Sequence, residues 1–162
     1  MPLYRESSST PVVNDSVAPM PLADWLQQRL GSAVSLANTD DADGLQPHLA
    51  DLTLITLHFP KFSDGRAYSQ ARILRERLGY RGELRAVGNV LQDQLPFLLR
   101  CGFDSFESEQ KGFGEALVKA RTLFSVVYQP TKDGRPGKGR YTDIYARRDG
   151  RWLCVAAQVA RS

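Results

Sequence analysis

Basic and polar side chains follow two apolar runs of the chain, at the points where those runs end. Lys61, Asp64 and Arg66 come after the first run, and Asn89 and Asp93 come after the second. In open parallel sheets, ligands bind beyond the carboxyl ends of the strands. The sequence therefore predicts that these side chains share one crevice, which would suit a small oxyanion or a phosphate.

The helix predicted after the first loop adds three candidates, Tyr68, Ser69 and Arg72. The free N–H groups and the positive dipole end at a helix N-terminus favour an anion. We expect these three side chains to face the same crevice and to complete the anion-binding set.

A structural interpretation of the same residues stays open. Asp64 is also suited to cap the helix and to pair with Arg66 or Lys61 at the surface. For Asn89, helix capping is favoured over contact with a ligand, and Asp93 carries the same ambiguity.

The chain offers few groups for catalysis, and the catalytic residues stay unknown. Cys101 is predicted in the last turn of a helix, where the dipole disfavours a thiolate, so a buried structural thiol is expected. His48 and His58 have no partner at metal-ligand spacing, although His58 at a strand end could titrate. The segment Gly134–Gly139 lacks the order of a phosphate-binding loop. Neither a metal nor a cofactor is predicted.

The elements that position these groups alternate between strand and helix. Leu52–Phe59 is nearly continuous and apolar, as in a strand covered on both faces, and Glu83–Val87 and Ala33–Ala37 are predicted as further strands. This order predicts an α/β protein with a three- or four-stranded, mainly parallel sheet, crossover helices and a C-terminal β-hairpin.

Four apolar faces at helical spacing predict the helices. Gly79 and Gly102 each end a helix and are followed by an aromatic residue, and Pro96 is expected in the first turn of a helix over residues 94–100. The faces are Leu22, Trp25, Leu26 and Leu30; Ala67, Ala71, Leu74 and Leu78; Leu91, Leu95, Leu98 and Leu99; and Phe113, Leu117, Ala120 and Phe124.

Composition divides the chain into four segments. Residues 1–20 are rich in Ser and Pro and predict a disordered tail, and residues 21–130 carry the α/β domain. Residues 131–139 read as a linker. Residues 140–162 predict a β-hairpin that turns at Arg148-Asp149-Gly150.

The totals restrict the class of protein. The 162 residues carry a formal charge of +3 with basic and acidic residues interspersed, which gives no indication of nucleic-acid binding. Two distant cysteines argue against a disulfide framework or a zinc site and fit a reducing compartment. No signal segment or membrane span is predicted, so we expect a soluble cytoplasmic protein.

The run Phe-Pro-Lys-Phe-Ser-Asp-Gly-Arg at 59–66, with its continuation to Gly88, resembles a bacterial family, domain of unknown function 934. The resemblance continues through Asp-Gln-Leu at 93–95 and Arg-Cys-Gly-Phe-Asp-Ser-Phe at 100–106. Genes of that family tend to lie beside the gene for assimilatory sulfite reductase, and members are often labelled oxidoreductases. The resemblance implies a cytoplasmic accessory of sulfite reduction, with sulfite reductase as a partner and no established catalytic residues.

The resemblance also bears on the predicted crevice. Sulfite and sulfate are oxyanions that a loop with Lys61 and Arg66 would suit. An Asp is common in the family where His58 and Asn89 stand here, which weakens any acid–base role at these strand ends.

The last segment, residues 141–159, is similar to the closing hairpin of nuclear transport factor two-like (SnoaL-like) proteins. The likeness covers about twenty residues around Arg-Asp-Gly-Arg-Trp. The chain after Pro130 is too short for that fold, so the ligand cavity of those proteins is not implied.

Three hypotheses of function follow. The first is an accessory or binding protein of sulfite reduction, which holds an oxyanion or a partner's acidic group. The second is a small oxidoreductase or transferase that uses Cys101 or His58. The third is an interaction module that forms a homodimer through its hairpin, with Ile144 and Trp152 buried between chains.

Overall fold

The computed structural model of the protein describes residues 1–12, 18–123, 140–148 and 151–160, with side chains described as far as residue 123. The chain divides into two compact units, Met1–Leu123 and Phe124–Ser162. The predicted site lies entirely in the first unit.

A mainly parallel sheet of six strands forms the centre of the first unit, as far as the described residues show. The strands pair in the order β1-β6-β5-β4-β3-β2, and every pair is parallel except β1 with β6. They are β1 (Leu3–Arg5), β2 (Met20–Pro21), β3 (Ala33–Leu36), β4 (Leu54–Phe59), β5 (Glu83–Gly88) and β6 (Ser105–Glu107).

Helical segments connect the parallel strands. Because β3, β4, β5 and β6 are adjacent in chain order, right-handed crossovers place their connecting segments on the same face of the sheet. The helices are α1 (Leu22–Gln28), a 3₁₀ helix (Ala42–Asp51), α2 (Arg66–Arg72) with a π-helical continuation (Ile73–Arg77), a 3₁₀ turn (Gln92–Gln94), α3 (Leu95–Arg100) and α4 (Phe113–Thr122).

One face of the sheet is apolar and the other carries charge. On the apolar face, Leu57 of β4 lies beside Ala86 of β5, and Ala86 lies beside Phe106 of β6. All three residues are fully buried. On the opposite face, Arg85 lies between Thr56 and Ser105 in register. Strand residues alternate between faces, so the buried charge and the apolar core come from the same strands.

The buried Arg85 is neutralised inside the sheet. Its side chain is 2% exposed, and its Nε and Nη2 donate to Glu83 Oε1 at 3.0 and 2.7 Å. The Nη1 atom lies 3.5 Å from Glu107 Oε1, and the Ser105 hydroxyl donates to Glu83 Oε1 at 2.6 Å. A buried charge requires such partners because desolvation alone would cost several kcal/mol.

A second arginine, Arg75, joins the two loops that lead into β5 and β6. Its Nη1 donates to the carbonyls of Tyr80 and Gly82 at 2.9 and 2.8 Å, and its Nε donates to Gly102 O at 2.8 Å. Its Nη2 pairs with Asp104. Gly102 has φ +90, and a Cβ there would lie 2.7 Å from Arg75 Cγ, so the loop needs glycine at this position.

The two helix ends that carry a Gly-aromatic pair agree with the predictions, and so does the position of Pro96. Gly79 and Gly102 have positive φ, and the aromatic residues after them, Tyr80 and Phe103, are buried. Pro96 lies at the start of α3, where its missing N–H is harmless. The predicted face of Ala67, Ala71 and Leu74 is fully buried, although α2 becomes π-helical after it.

Two predictions require correction. The α/β class and the mainly parallel sheet are confirmed, but among the described residues this sheet has six strands rather than three or four. The prediction of a disordered tail is wrong for residues 3–5, which form β1 with Leu3 fully buried. Composition reports only local character, and a strand of two or three residues carries no periodic signal.

The first helix is also shorter than predicted. α1 ends at Gln28 because Arg29 adopts the left-handed conformation, with φ +54. Leu26 and Leu30, which were expected on the buried face, are 36% and 61% exposed, whereas Leu22 and Trp25 are buried.

The second unit contains two strands whose backbone is described. β7 (Arg140–Arg148) and β8 (Arg151–Ala160) pair antiparallel, from Arg140 with Ala160 to Arg148 with Arg151. The predicted turn at Asp149-Gly150, the predicted linker and Phe124 lie outside the described residues.

We expect Arg75→Met to lower the free energy of unfolding by about 3 kcal/mol or more, because it removes the hydrogen bonds to three carbonyls and the ion pair with Asp104, which, among the described residues, keeps only its bond from Leu84 N. Chemical denaturation of the full chain measures this loss. Arg77→Met is the matched control, since the Arg77 side chain is 56% exposed, and exposed ion pairs contribute about 0–1 kcal/mol. Equal losses in the two variants would contradict the role of Arg75.

Candidate functional site

The two predicted loops meet at the carboxyl edge of the sheet. Asn89 N donates to Phe59 O at 2.8 Å, and Gln94 Nε2 donates to Phe62 O at 3.0 Å. Gly88 permits this approach, because a Cβ there would lie 2.5 Å from Phe59 O. The loop after β4 is therefore fastened to the segment that begins α3.

The charges of the first loop pair with each other. Arg66 donates from Nε to Asp64 Oδ1 at 3.0 Å and from Nη2 to Asp64 Oδ2 at 2.6 Å. Asp64 Oδ1 also accepts from Arg66 N at 3.2 Å, and Asn38 Nδ2 donates to Asp64 Oδ2 at 2.7 Å. These bonds lower the pKa of Asp64 to about 2. The carboxylate is ionised at neutral pH and offsets the Arg66 charge.

Three candidates from α2 have different surroundings. Arg72 donates from Nη2 to Glu76 at 3.0 Å in an exposed pair one helical turn apart, and Ser69 is exposed. The Tyr68 ring packs against Phe59 and Phe97, with centroids 5.1 and 4.7 Å away. Burial raises the pKa of Tyr68, so its phenol stays neutral at physiological pH.

Lys61, Asn89 and Asp93 are all exposed. Asp93 lines a shallow cavity of about 270 Å³ that also contains Pro96 and Lys119. The backbone of Asn89 is used to join the two loops, as described above. Lys61 has no ion pair among the residues that the structure describes.

Exposed aromatic side chains are a feature of this edge that the sequence patterns did not single out. Phe62 is 58% exposed and Phe97 is 49% exposed. We call Phe62, Phe97 and the half-buried Tyr68 the edge aromatic patch. A signal was present, since Phe97 lies off the buried face of α3 and Phe62 lies in a polar loop, where an apolar ring has no core to fill.

The predicted thiol is inside the core. Cys101 is 3% exposed, and burial raises its pKa to about 11. An activated nucleophile needs the opposite shift, towards a stable thiolate. This environment matches the expectation of a structural cysteine.

The two histidines stand apart from each other. His58 is exposed on β4, beside Gly88, and the His48 ring lies edge-on to Trp25 with centroids 5.7 Å apart. Within the described side chains, no group of three or more His, Cys, Asp or Glu could hold a metal ion. None of the described helices has the length and apolarity needed to cross a membrane.

Comparison with known proteins identifies one family. A model for the family described as "Bacterial protein of unknown function (DUF934)" matches residues 33–137. The matched range includes β3 to β6 and α2 to α4, and therefore both loops at the carboxyl edge. Searches of the curated proteins and of the solved structures found no match.

We expect Cys101 to react slowly with iodoacetamide at pH 8, because less than about 1% of a thiol with a pKa near 11 is ionised there. The rate should rise with each pH unit and show no plateau below pH 10. The measurement uses the Cys154→Ser variant, so that Cys101 is the one thiol, with the urea-unfolded protein as control. A rate that levels off near pH 7 would show an activated thiol.

Proposed function

Because the chain belongs to the bacterial family of domain of unknown function 934, we propose that it is an accessory binding protein associated with assimilatory sulfite reduction. The link to sulfite reduction rests on the gene neighbourhood of the family. The binding role rests on the side chains at the carboxyl edge of the sheet, and sulfite reductase is the proposed partner.

One observation carries the proposal: two phenylalanines are exposed at the carboxyl edge, Phe62 in the loop after β4 and Phe97 on α3. Phe62 and Phe97 expose about half of their surface, and Lys61 precedes Phe62 directly. Interfaces between proteins are enriched in aromatic residues, and charged groups around them steer the encounter. The partner surface would be apolar with an acidic group opposite Lys61.

The loop charges indicate how the acidic group would bind. Arg66 holds Asp64 in two hydrogen bonds at its own surface, so an incoming carboxylate or oxyanion competes with Asp64 for the guanidinium. Lys61 has no such competitor among the described residues and would make the first contact. A small oxyanion such as sulfite could occupy the same position.

An enzymatic role for Cys101 has less support. The thiol is buried with a raised pKa, so little thiolate is present at neutral pH. His58 is exposed, and the family resemblance, in which an Asp is common at its position, weakens an acid–base role for it. A binding role needs neither residue to react.

We expect the full chain to co-elute with the sulfite reductase of the same organism on size-exclusion chromatography. The double variant Lys61→Ala, Phe62→Ala should weaken this complex at least about tenfold, since it removes a central aromatic contact and a charge. Arg77→Ala, which removes an exposed cation elsewhere, is the control. Separate elution of the native proteins, with and without sulfite, would contradict the proposal.

We expect Asp64→Asn to strengthen the complex several-fold, because it removes the carboxylate that competes for Arg66. The Asn side chain keeps an oxygen that can accept from Arg66 N, so the local fold should persist. Asp43→Asn is the control, because it releases Arg77, which is as exposed as Arg66, from a surface pair elsewhere. If both variants strengthen binding equally, net charge and not this loop is responsible.

A further inference from the structure

The opposite edge of the sheet, where β5 and β6 begin, contains a cleft of about 510 Å³. This volume lies within the range of small-molecule sites and exceeds what a single phosphate needs. We call this the amino-edge cleft. It is lined by the end of β1, the starts of β5 and β6 with the loops before them, and α4, through Arg5, Glu6, Ser7, Arg81, Gly82, Glu83, Asp104, Ser105 and Arg121.

The walls of the amino-edge cleft are fixed by the two arginines that lie behind them. Arg75 holds Gly82 O and Asp104, and Arg85 holds Glu83. The two carboxylates are therefore held from behind by Arg75 and Arg85, and Glu83 also pairs with Arg5 at 3.6 Å. Because these wall residues are already held in place, less conformational entropy is lost when a ligand binds. In the described part of the chain, Arg81 is in no ion pair.

Positive charge exceeds negative charge around the cleft. The count includes the lining residues, the two arginines behind the walls, and Glu107, which contacts Arg85. Among the described residues these are five guanidiniums (Arg5, Arg75, Arg81, Arg85 and Arg121) and four carboxylates (Glu6, Glu83, Asp104 and Glu107), a surplus of one positive charge. Arg81 is exposed, and Arg5, whose Nη2 lies 3.6 Å from Glu83 Oε2, is 44% exposed. The planar fork of an arginine matches carboxylate and phosphate oxygens.

Asp104 adds an acceptor to the same cleft. Its Oδ2 accepts from Leu84 N at 2.8 Å and pairs with Arg75. This arrangement leaves Oδ1 for a donor from a ligand. The Asp104 side chain is 46% exposed, so a ligand in the cleft can reach it, and partial burial raises the pKa of its carboxyl group.

We propose that the amino-edge cleft binds a small metabolite with a carboxylate or phosphoryl group held by Arg81 and its neighbouring arginines, and a hydroxyl or ammonium group near Asp104. The site lies at the opposite edge of the sheet from the edge aromatic patch. It does not depend on the proposed docking function. A ligand there would contact β1, which joins the N-terminal segment to the sheet.

The test is isothermal titration of the full chain with two probes, inorganic pyrophosphate and citrate, and with sorbitol as the uncharged control. We expect one or both anions to bind and sorbitol to show no heat of binding. Tighter binding of pyrophosphate would assign the site to phosphoryl groups, and tighter binding of citrate would assign it to carboxylates. Failure of both anions to bind would overturn the proposal.

Variants then locate the binding. Arg81→Gln should weaken the bound anion about tenfold, as expected for the loss of one charge-assisted hydrogen bond. Arg81→Lys keeps the charge without the fork and should give an intermediate affinity. Arg77→Gln, with the same change of net charge, is the control. If Arg81→Gln binds as tightly as the native chain, or if both Gln variants lose affinity equally, the anion does not bind in this cleft.

Discussion

The middle of this structure depends on the hydrogen bonds of the guanidinium of Arg75, whose side chain is 11% exposed. Four acceptors surround this guanidinium and take up its N–H donors: the carbonyls of Tyr80, Gly82 and Gly102, and the Asp104 carboxylate. The turn into β5 and the loop into β6 are thereby held at a fixed separation. Arg75 lies in the π-helical continuation of α2. Single π-helical turns within α-helices are often found at functional sites.

Charge inside the sheet has a second consequence, since it makes the two edges differ. At the amino edge, Arg75 and Arg85 fix acidic walls from behind and leave a cleft lined by further arginines. At the carboxyl edge, the exposed pair of Asp64 and Arg66 neutralises itself, and aromatic rings are exposed beside it. We therefore propose a small anion as the ligand at the first edge and a protein as the partner at the second.

Sequence reasoning located the loops at the carboxyl edge, but it described their chemistry only in part. Parallel strands direct attention to their carboxyl ends, and the loop with Lys61 and Arg66 does lie there. The spacing of Asp64 and Arg66 left pairing and anion binding open, because either role uses the same residue types. The amino-edge cleft was missed, since its residues are scattered from Arg5 to Arg121 and form no motif.

The sequence by itself determined the α/β class, the mainly parallel character of the sheet and the glycine-aromatic helix ends, because these depend on apolar periodicity and on backbone preferences within a few residues. Only the tertiary structure decided which charges are buried and what they hold. Arg75 bonds Gly102 and Asp104, which lie 27 and 29 positions away in the sequence. β1 pairs with β6, about a hundred residues further along the chain. Such contacts leave no periodic trace in the sequence, because each depends on how separate segments pack in space.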